Sequence, residues 1–241
     1  MSDSDEEVEY EPELFVIRQY SLYITTISHM PIQILMKNAG KGIEISGQKL
    51  WCGSLGAIEY LLDNTDFCNN KIVIELGAGT GVMGMLCKKI GAKRVLLTDY
   101  DDKSINHMNI DCNSNNIDAE VKVCDWFNPN INELLLDPND LDNIRIVAGD
   151  VLYKSIILEP FWNTVKLLFS LSDKIQMLLC HVPRAGVEHI HVQKAAISNG
   201  LSIKEIDPSL WRKGSCLEYS PNDDNERAKL YLITAISIEE R

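Results

Sequence analysis

The residues best able to do chemistry cluster in one stretch, Ile74-Glu75-Leu76-Gly77-Ala78-Gly79-Thr80-Gly81. Glycines let a backbone turn sharply and come close to a ligand. A helix opening at Thr80 would offer its free N–H groups to that ligand. A dinucleotide fingerprint, G-x-G-x-x-G, would need its third glycine at position 82, where this chain has Val82. The acid Glu75 ahead of the glycines suits a ligand with a cationic amino-acid group better than a pyrophosphate. A tight turn with no ligand would use the same residues. Asp99, about 20 residues further on, weighs against that, because an acid ending the next strand can accept hydrogen bonds from ribose hydroxyls. Helix capping, its other use, fits Asp101 or Asp102 better. Trp126, in Cys124-Asp125-Trp126, offers a face for adenine and would be equally at home in a core.

A second grouping is Asp150-Val151-Leu152-Tyr153, a carboxylate and a phenol at the end of an apolar run. Taken alone, Asp150 would cap a helix and Tyr153 would pack as an aromatic. Two further stretches could touch a substrate: the loop His181 to Gly186, and the polar segment holding Trp211. His181 reads as a strand-end histidine rather than a base. His189 and His191, two apart on one helix, point in different directions, which argues against a metal pair. The seven cysteines are odd in number and no two form a C-x-x-C, so neither a disulfide framework nor a zinc site is expected.

These groups need elements to position them. Leu14 to Ile45, rich in β-branched and aromatic residues and broken by Gly40 and Gly42, predicts two or three strands of a hairpin. Ser54 could cap a helix with Leu55, Ile58 and Leu62 on one face. Short apolar runs then predict strands at Lys71 to Leu76, Arg94 to Thr98, Val121 to Cys124, Arg145 to Gly149 and Ile175 to His181. Helices are predicted at Thr80 to Ile90, Asp102 to Asn115, Phe161 to Leu171 and Val187 to Ser198. Two strands close the pattern, Leu201 to Ile206 and Lys229 to Ile236, with no helix expected between them. Strands alternating with helices mean an α/β fold, a mostly parallel sheet with helices on both faces. A last strand that returns without a crossover helix should be antiparallel.

Composition sets the outer limits. The chain has 241 residues, 45% of them apolar, enough to bury a core unaided. Its net charge of −12 argues against a nucleic-acid binder or a protein docked on anionic lipid. Met1 to Glu13 holds seven of the acids and no base, and reads as a solvated, disordered tail of the wrong sign for a targeting peptide. No apolar run reaches the roughly 18 residues of a membrane span. Cysteine usage suits a reducing compartment, the cytoplasm or the nucleus. The domain division expected is 1–13 tail, 14–48 hairpin extension and 49–241 catalytic domain. An antiparallel last strand and an N-terminal hairpin are compatible with a monomer.

With these residues in hand, the chain resembles the class I, seven-β-strand, S-adenosylmethionine-dependent methyltransferases. The resemblance is carried by Glu75 to Gly81, Thr98-Asp99-Tyr100-Asp101, Asp125-Trp126 and Asp150 to Tyr153. With Trp51 added, it is similar to family 16 of that class, which includes protein lysine methyltransferases acting on chaperones and translation factors. The resemblance implies a Rossmann-like, seven-stranded sheet and S-adenosyl-L-methionine as cofactor. It places Gly77, Ala78 and Gly79 along the methionine and ribose, Glu75 near the amino group and Asp99 on the ribose. Trp126 would flank the adenine, Ala148 would touch the cofactor by its backbone, and Trp51 would close over it. Asp150 and Tyr153 would face the substrate, most simply a lysine amine on a protein. A small-molecule or nucleic-acid methyltransferase and a non-catalytic binding module are the competing readings.

Overall fold

A computed structural model describes residues 19–25, 31–37, 50–134, 136–212 and 222–236. The acidic stretch Met1 to Glu13 and the glycine break at Gly40 and Gly42 lie outside the described residues. Strands β1 (Gln19–Thr25) and β2 (Pro31–Lys37) pair as an antiparallel hairpin.

The elements that build the site are β3 (Ile72–Leu76), β4 (Arg94–Asp99), β5 (Glu120–Val123), β6 (Ile144–Gly149), β7 (Gln176–His181), β8 (Leu201–Glu205) and β9 (Lys229–Ala235). They form one sheet in the order β5-β4-β3-β6-β7-β9-β8. The five strands from β3 to β7 run parallel, and β9 runs antiparallel between β7 and β8. This is the doubly wound architecture expected, with the expected antiparallel last strand. The connection before β9 differs from expectation: it carries a short helix, α6 (Asn222–Arg227).

Alternation along the buried strands sorts side chains onto two faces. Val73, Val95 and Leu97 face one core with Leu55, Ile58 and Leu61 of α1 (Cys52–Asp63) and Val82, Met83 and Leu86 of α2 (Val82–Lys89). Met108 and Cys112 of α3 (Asp102–Ser114) join them. Ile72, Ile74, Leu76 and Leu96 face the other core. There they meet Phe161, Trp162 and Val165 of α4 (Leu158–Phe169) and Val192 and Ala196 of α5 (His189–Ser198).

Four helix starts depart from the sequence reading: α4 begins at Leu158 rather than Phe161, α5 at His189 rather than Val187, and the other two bear on the site. Helix α1 begins at Cys52 with Trp51 as N-cap and no side-chain cap, so Ser54 is inside the first turn. What sets this start is packing: a Cβ on Gly53 would lie 2.4 Å from the Asp150 backbone nitrogen. Helix α2 begins at Val82 rather than Thr80, because Gly81, the residue before it, takes a left-handed conformation, φ 72°. Asp101 caps α3 by accepting from the Ser104 N–H at 2.9 Å, as its position suggested.

Candidate active site

The chain leaves β3, runs out to β4 and β5, and then returns to β6 on the other side of β3. Open α/β sheets bind ligands at such a reversal, outside the carboxyl ends of the strands. A cavity of about 590 Å³ lies there, within the usual size of a small-molecule site. Its floor is the glycine loop, residues 77–80. Gly77 is left-handed, φ 63°, and a Cβ on it would approach the Trp126 ring to 3.0 Å, so any side chain here would press on the cavity wall. Thr98 of β4 holds the loop and the strand before it: the Ala78 N–H donates to the Thr98 carbonyl at 2.8 Å, and the Thr98 hydroxyl donates to the Glu75 carbonyl of β3 at 2.7 Å.

Asp99 ends β4 at the cavity. One carboxylate oxygen accepts from the Gly79 N–H at 2.9 Å, and the other from the Tyr100 and Asp101 N–H groups at 2.8 and 3.1 Å. Burial raises its pKa, and these three donors oppose the rise. One acceptor position of the carboxylate remains for a ligand. Trp126 forms the wall beyond β5 and is edge-on to Phe161, with ring centroids 5.0 Å apart. Its indole nitrogen is buried without a hydrogen-bond partner among the described residues.

Two expected residues sit elsewhere. Glu75 lies on the α2 side of β3, where its carboxylate accepts the Gly84 N–H at 2.7 Å. It is fully buried, does not line the cavity, and burial raises its pKa to about 8. Alternation decides this: Glu75 shares the face of Val73, beneath the first turn of α2. Ala148 points into the second core, and it is Gly149, one residue later, that lines the cavity.

The other end of the cavity is built from Trp51, Ser54, Asp150, Tyr153 and Arg184. Asp150 follows β6 in a left-handed conformation, φ 57°. That conformation is tolerated by Asp better than by most residues and is typical of strained functional positions. The Asp150 N–H donates to the Cys180 carbonyl at 2.8 Å, which fixes the turn to β7. Its carboxylate is almost wholly buried, and Arg184 grips it: Nε donates at 3.1 and 3.3 Å and Nη2 at 2.7 Å. Arg184 Nη2 also donates to Asp224 of α6 at 2.8 Å, and the guanidinium lies over the Trp51 ring, 5.0 Å from its centroid. Burial pushes the Asp150 pKa up and Arg184 holds it down, whereas the Arg184 pKa is raised by the pair. A bidentate partner of this kind favours the carboxylate form.

Arg184 and Asp224 were not picked out as partners of Asp150. Of the two stretches expected near a substrate, the post-β7 loop does reach the cavity, through Arg184 and Ala185. Trp211 does not. It is fully buried in the first core, and a Cβ on Gly56 would meet its ring at 2.9 Å. His181 is buried, its Nε2 lies 3.0 Å from the Val187 carbonyl, and burial lowers its pKa to about 4. His189 and His191 make separate contacts, with Tyr231 and Glu188. No cluster of possible metal ligands occurs among the described residues.

The fold is that of solved class I methyltransferases. A TehB-like S-adenosylmethionine-dependent methyltransferase of Corynebacterium glutamicum superposes with a TM-score of 0.55 at 18% identity, covering 79% of this chain and 91% of its own. A family profile described as lysine methyltransferase matches residues 30–196. The chain belongs to that lysine methyltransferase family. Among curated relatives, the human electron transfer flavoprotein beta subunit lysine methyltransferase is 29% identical over 119 residues, 49% of this chain and 42% of the relative. The protein N-terminal and lysine N-methyltransferase EFM7 of Yarrowia lipolytica is 33% identical over 123 residues, 46% of this chain and 45% of the relative. The chain thus spans less than half the length of these relatives that it matches.

Proposed function

We propose that this protein transfers a methyl group from S-adenosyl-L-methionine to a lysine amine of another protein. The observation that carries this reading is the pairing, in one cavity, of a nucleoside-type half with a buried carboxylate half. The first half is Gly77 to Gly79, Asp99 and Trp126; the second is Asp150, Tyr153 and Trp51. Family membership supports it. The left-handed glycine turn, which a side chain would obstruct, and the unpartnered Trp126 N–H suit a bound nucleoside.

When bound, the cofactor supplies an electrophilic sulfonium methyl. The protein's part is to bring a lysine nitrogen in line with it. The amine, with a solution pKa near 10.4, must first lose its proton to solvent. Desolvation between Trp51 and Tyr153 favours the neutral form. Asp150 and the Tyr153 hydroxyl accept the amine's remaining N–H groups and aim its lone pair, so the gain is mainly proximity and alignment. The catalytic unit we assign is 49–241, with 1–13 a solvated tail and 14–48 an extension.

The protein substrate is of the chaperone or translation-factor kind, and no nucleic acid takes part. We place the protein in the cytoplasm or nucleus. The six cysteines among the described residues are buried and form no disulfide with one another, and no described helix is long and apolar enough to cross a membrane. We take it to act as a monomer.

The test is transfer from labelled S-adenosylmethionine into a lysate of cells lacking this protein. A discrete, RNase-resistant band that disappears with Asp150→Ala is the expected result. No band from wild type, with cofactor bound, would overturn the protein-substrate reading.

A further inference from the structure

Asp150 is asked to accept hydrogen bonds from an incoming amine, yet both of its oxygens already face Arg184. A bare carboxylate in this position would have a drawback. It would attract lysine as the ammonium, the form that cannot attack, and would raise the pKa of the bound amine. An arginine on the carboxylate weakens that bias, to one net negative charge shared with Asp224, and with the Gly53 N–H also bound it leaves one acceptor position to orient a neutral amine. Arg184 is well held for this purpose. Asp224 binds its far side at 2.8 Å, the Trp51 ring lies beneath it, and its side chain is about three-quarters buried, at 23% exposure. The guanidinium therefore has a second anion to keep it in place whatever occupies the cavity.

We propose that Arg184, anchored by Asp224, is a positioning residue that occupies the cation side of Asp150, so that the cavity receives the substrate lysine as a neutral amine rather than as an ammonium ion. This inference rests on the methyltransferase reading above and assigns the charge state in which that site binds its substrate.

The probe is n-butylammonium, a lysine side chain without its backbone, titrated into the protein loaded with S-adenosylhomocysteine at pH 7.5. Its affinity is read by NMR line broadening. Wild type should bind it weakly. Arg184→Gln uncovers a buried, unpaired carboxylate and should bind it roughly tenfold more tightly or better. Arg184→Lys keeps the charge and should stay close to wild type. Arg184→Gln combined with Asp150→Asn should lose the gain, which a merely loosened structure would retain. Equal affinity in wild type and Arg184→Gln, or a gain that survives Asp150→Asn, overturns the proposal. If Arg184→Gln fails to fold, wild type decides: the apparent affinity for total butylamine should rise about tenfold per unit from pH 7 to 9 if the neutral amine is the bound form, and no rise overturns the proposal. Binding of S-adenosylhomocysteine by wild type is measured first. Its failure would sink the cofactor reading and this inference with it, whereas binding with unchanged butylammonium affinity sinks only the role of Arg184.

Discussion

At the scale of single residues, the site is defined by which polar groups have spare capacity. Asp99 spends three acceptor positions on the backbone N–H groups of Gly79, Tyr100 and Asp101. It thereby fixes the glycine loop and still faces the cavity. Asp99→Ala should therefore weaken S-adenosylmethionine binding by about 1–3 kcal/mol through the lost ribose bonds. Asp99→Asn keeps one carbonyl acceptor and should lose less. Calorimetric titration of both variants checks this, and unchanged affinity in Asp99→Ala would remove the ribose assignment. Asp99 was legible from its place at the end of an apolar strand about 20 residues after the glycine loop, whereas Asp150, which alone reads as a helix cap, was singled out by the family resemblance. The destination of Glu75 was not legible. It is also an acid beside the glycines, but strand alternation turns it toward α2, and only the Gly84 N–H shows what it binds. Arg184 was hidden for a different reason. It lies 34 residues from Asp150, and the two meet only because β6 and β7 are neighbours in the sheet.

At the scale of elements, the N-terminus of α1 is pressed against the end of β6. A Cβ on Gly149 would lie 2.6 Å from the Ser54 backbone nitrogen, and one on Gly53 would lie 2.4 Å from the Asp150 nitrogen. Two backbones meet where no side chain fits, and Asp150 takes its left-handed turn at that contact. Gly53→Ala must push α1 and Asp150 apart. The overpacking should cost about 1–3 kcal/mol of stability. Turnover should fall by about 10²-fold, as misplacements of an ångström do. Cofactor affinity should fall much less, since Asp99 and the glycine loop stand on β3 and β4. Equal losses in affinity and turnover would show that α1 does not act through Asp150. The same contact explains the misread helix start. Capping chemistry at Ser54 is what a sequence displays, but here glycine packing fixes the first turn at Cys52, and that depends on a strand nearly 100 residues away. The central strands β3, β4, β6 and β7 were legible because each is a short, largely apolar run buried on both faces.

At the scale of the whole molecule, two buried groups on opposite sides of the site set how stability should vary with pH. His181 is buried and its pKa is lowered to about 4, so below its ordinary value of 6.5 the unfolded chain takes up the proton and the folded one does not. Its contribution is present above 6.5 and is lost as pH falls toward 4. His189 is also lowered by burial and acts in the same direction. Glu75 does the reverse. Its pKa is raised from 4.5 to about 8, so the folded protein holds a proton that the unfolded chain has released. Its contribution is complete below 4.5 and is lost as pH rises through 8. From pH 6.5 to 8 the unfolded histidines lose their remaining protons, the buried cysteines begin to matter only near the top of the range, and Glu75 is the largest contributor. One proton of difference is worth about 1.4 kcal/mol per pH unit, so the fall across this window is roughly 2 kcal/mol. For a chain of this size that corresponds to a drop in Tm of about 4–8 °C. In Glu75→Gln the amide oxygen still accepts from the Gly84 N–H and nothing titrates, so its Tm should stay level from pH 6.5 to 8. Thermal denaturation of both proteins at half-unit steps decides the matter. Parallel declines in the two would mean that another group carries the loss and that Glu75 is ionised under α2.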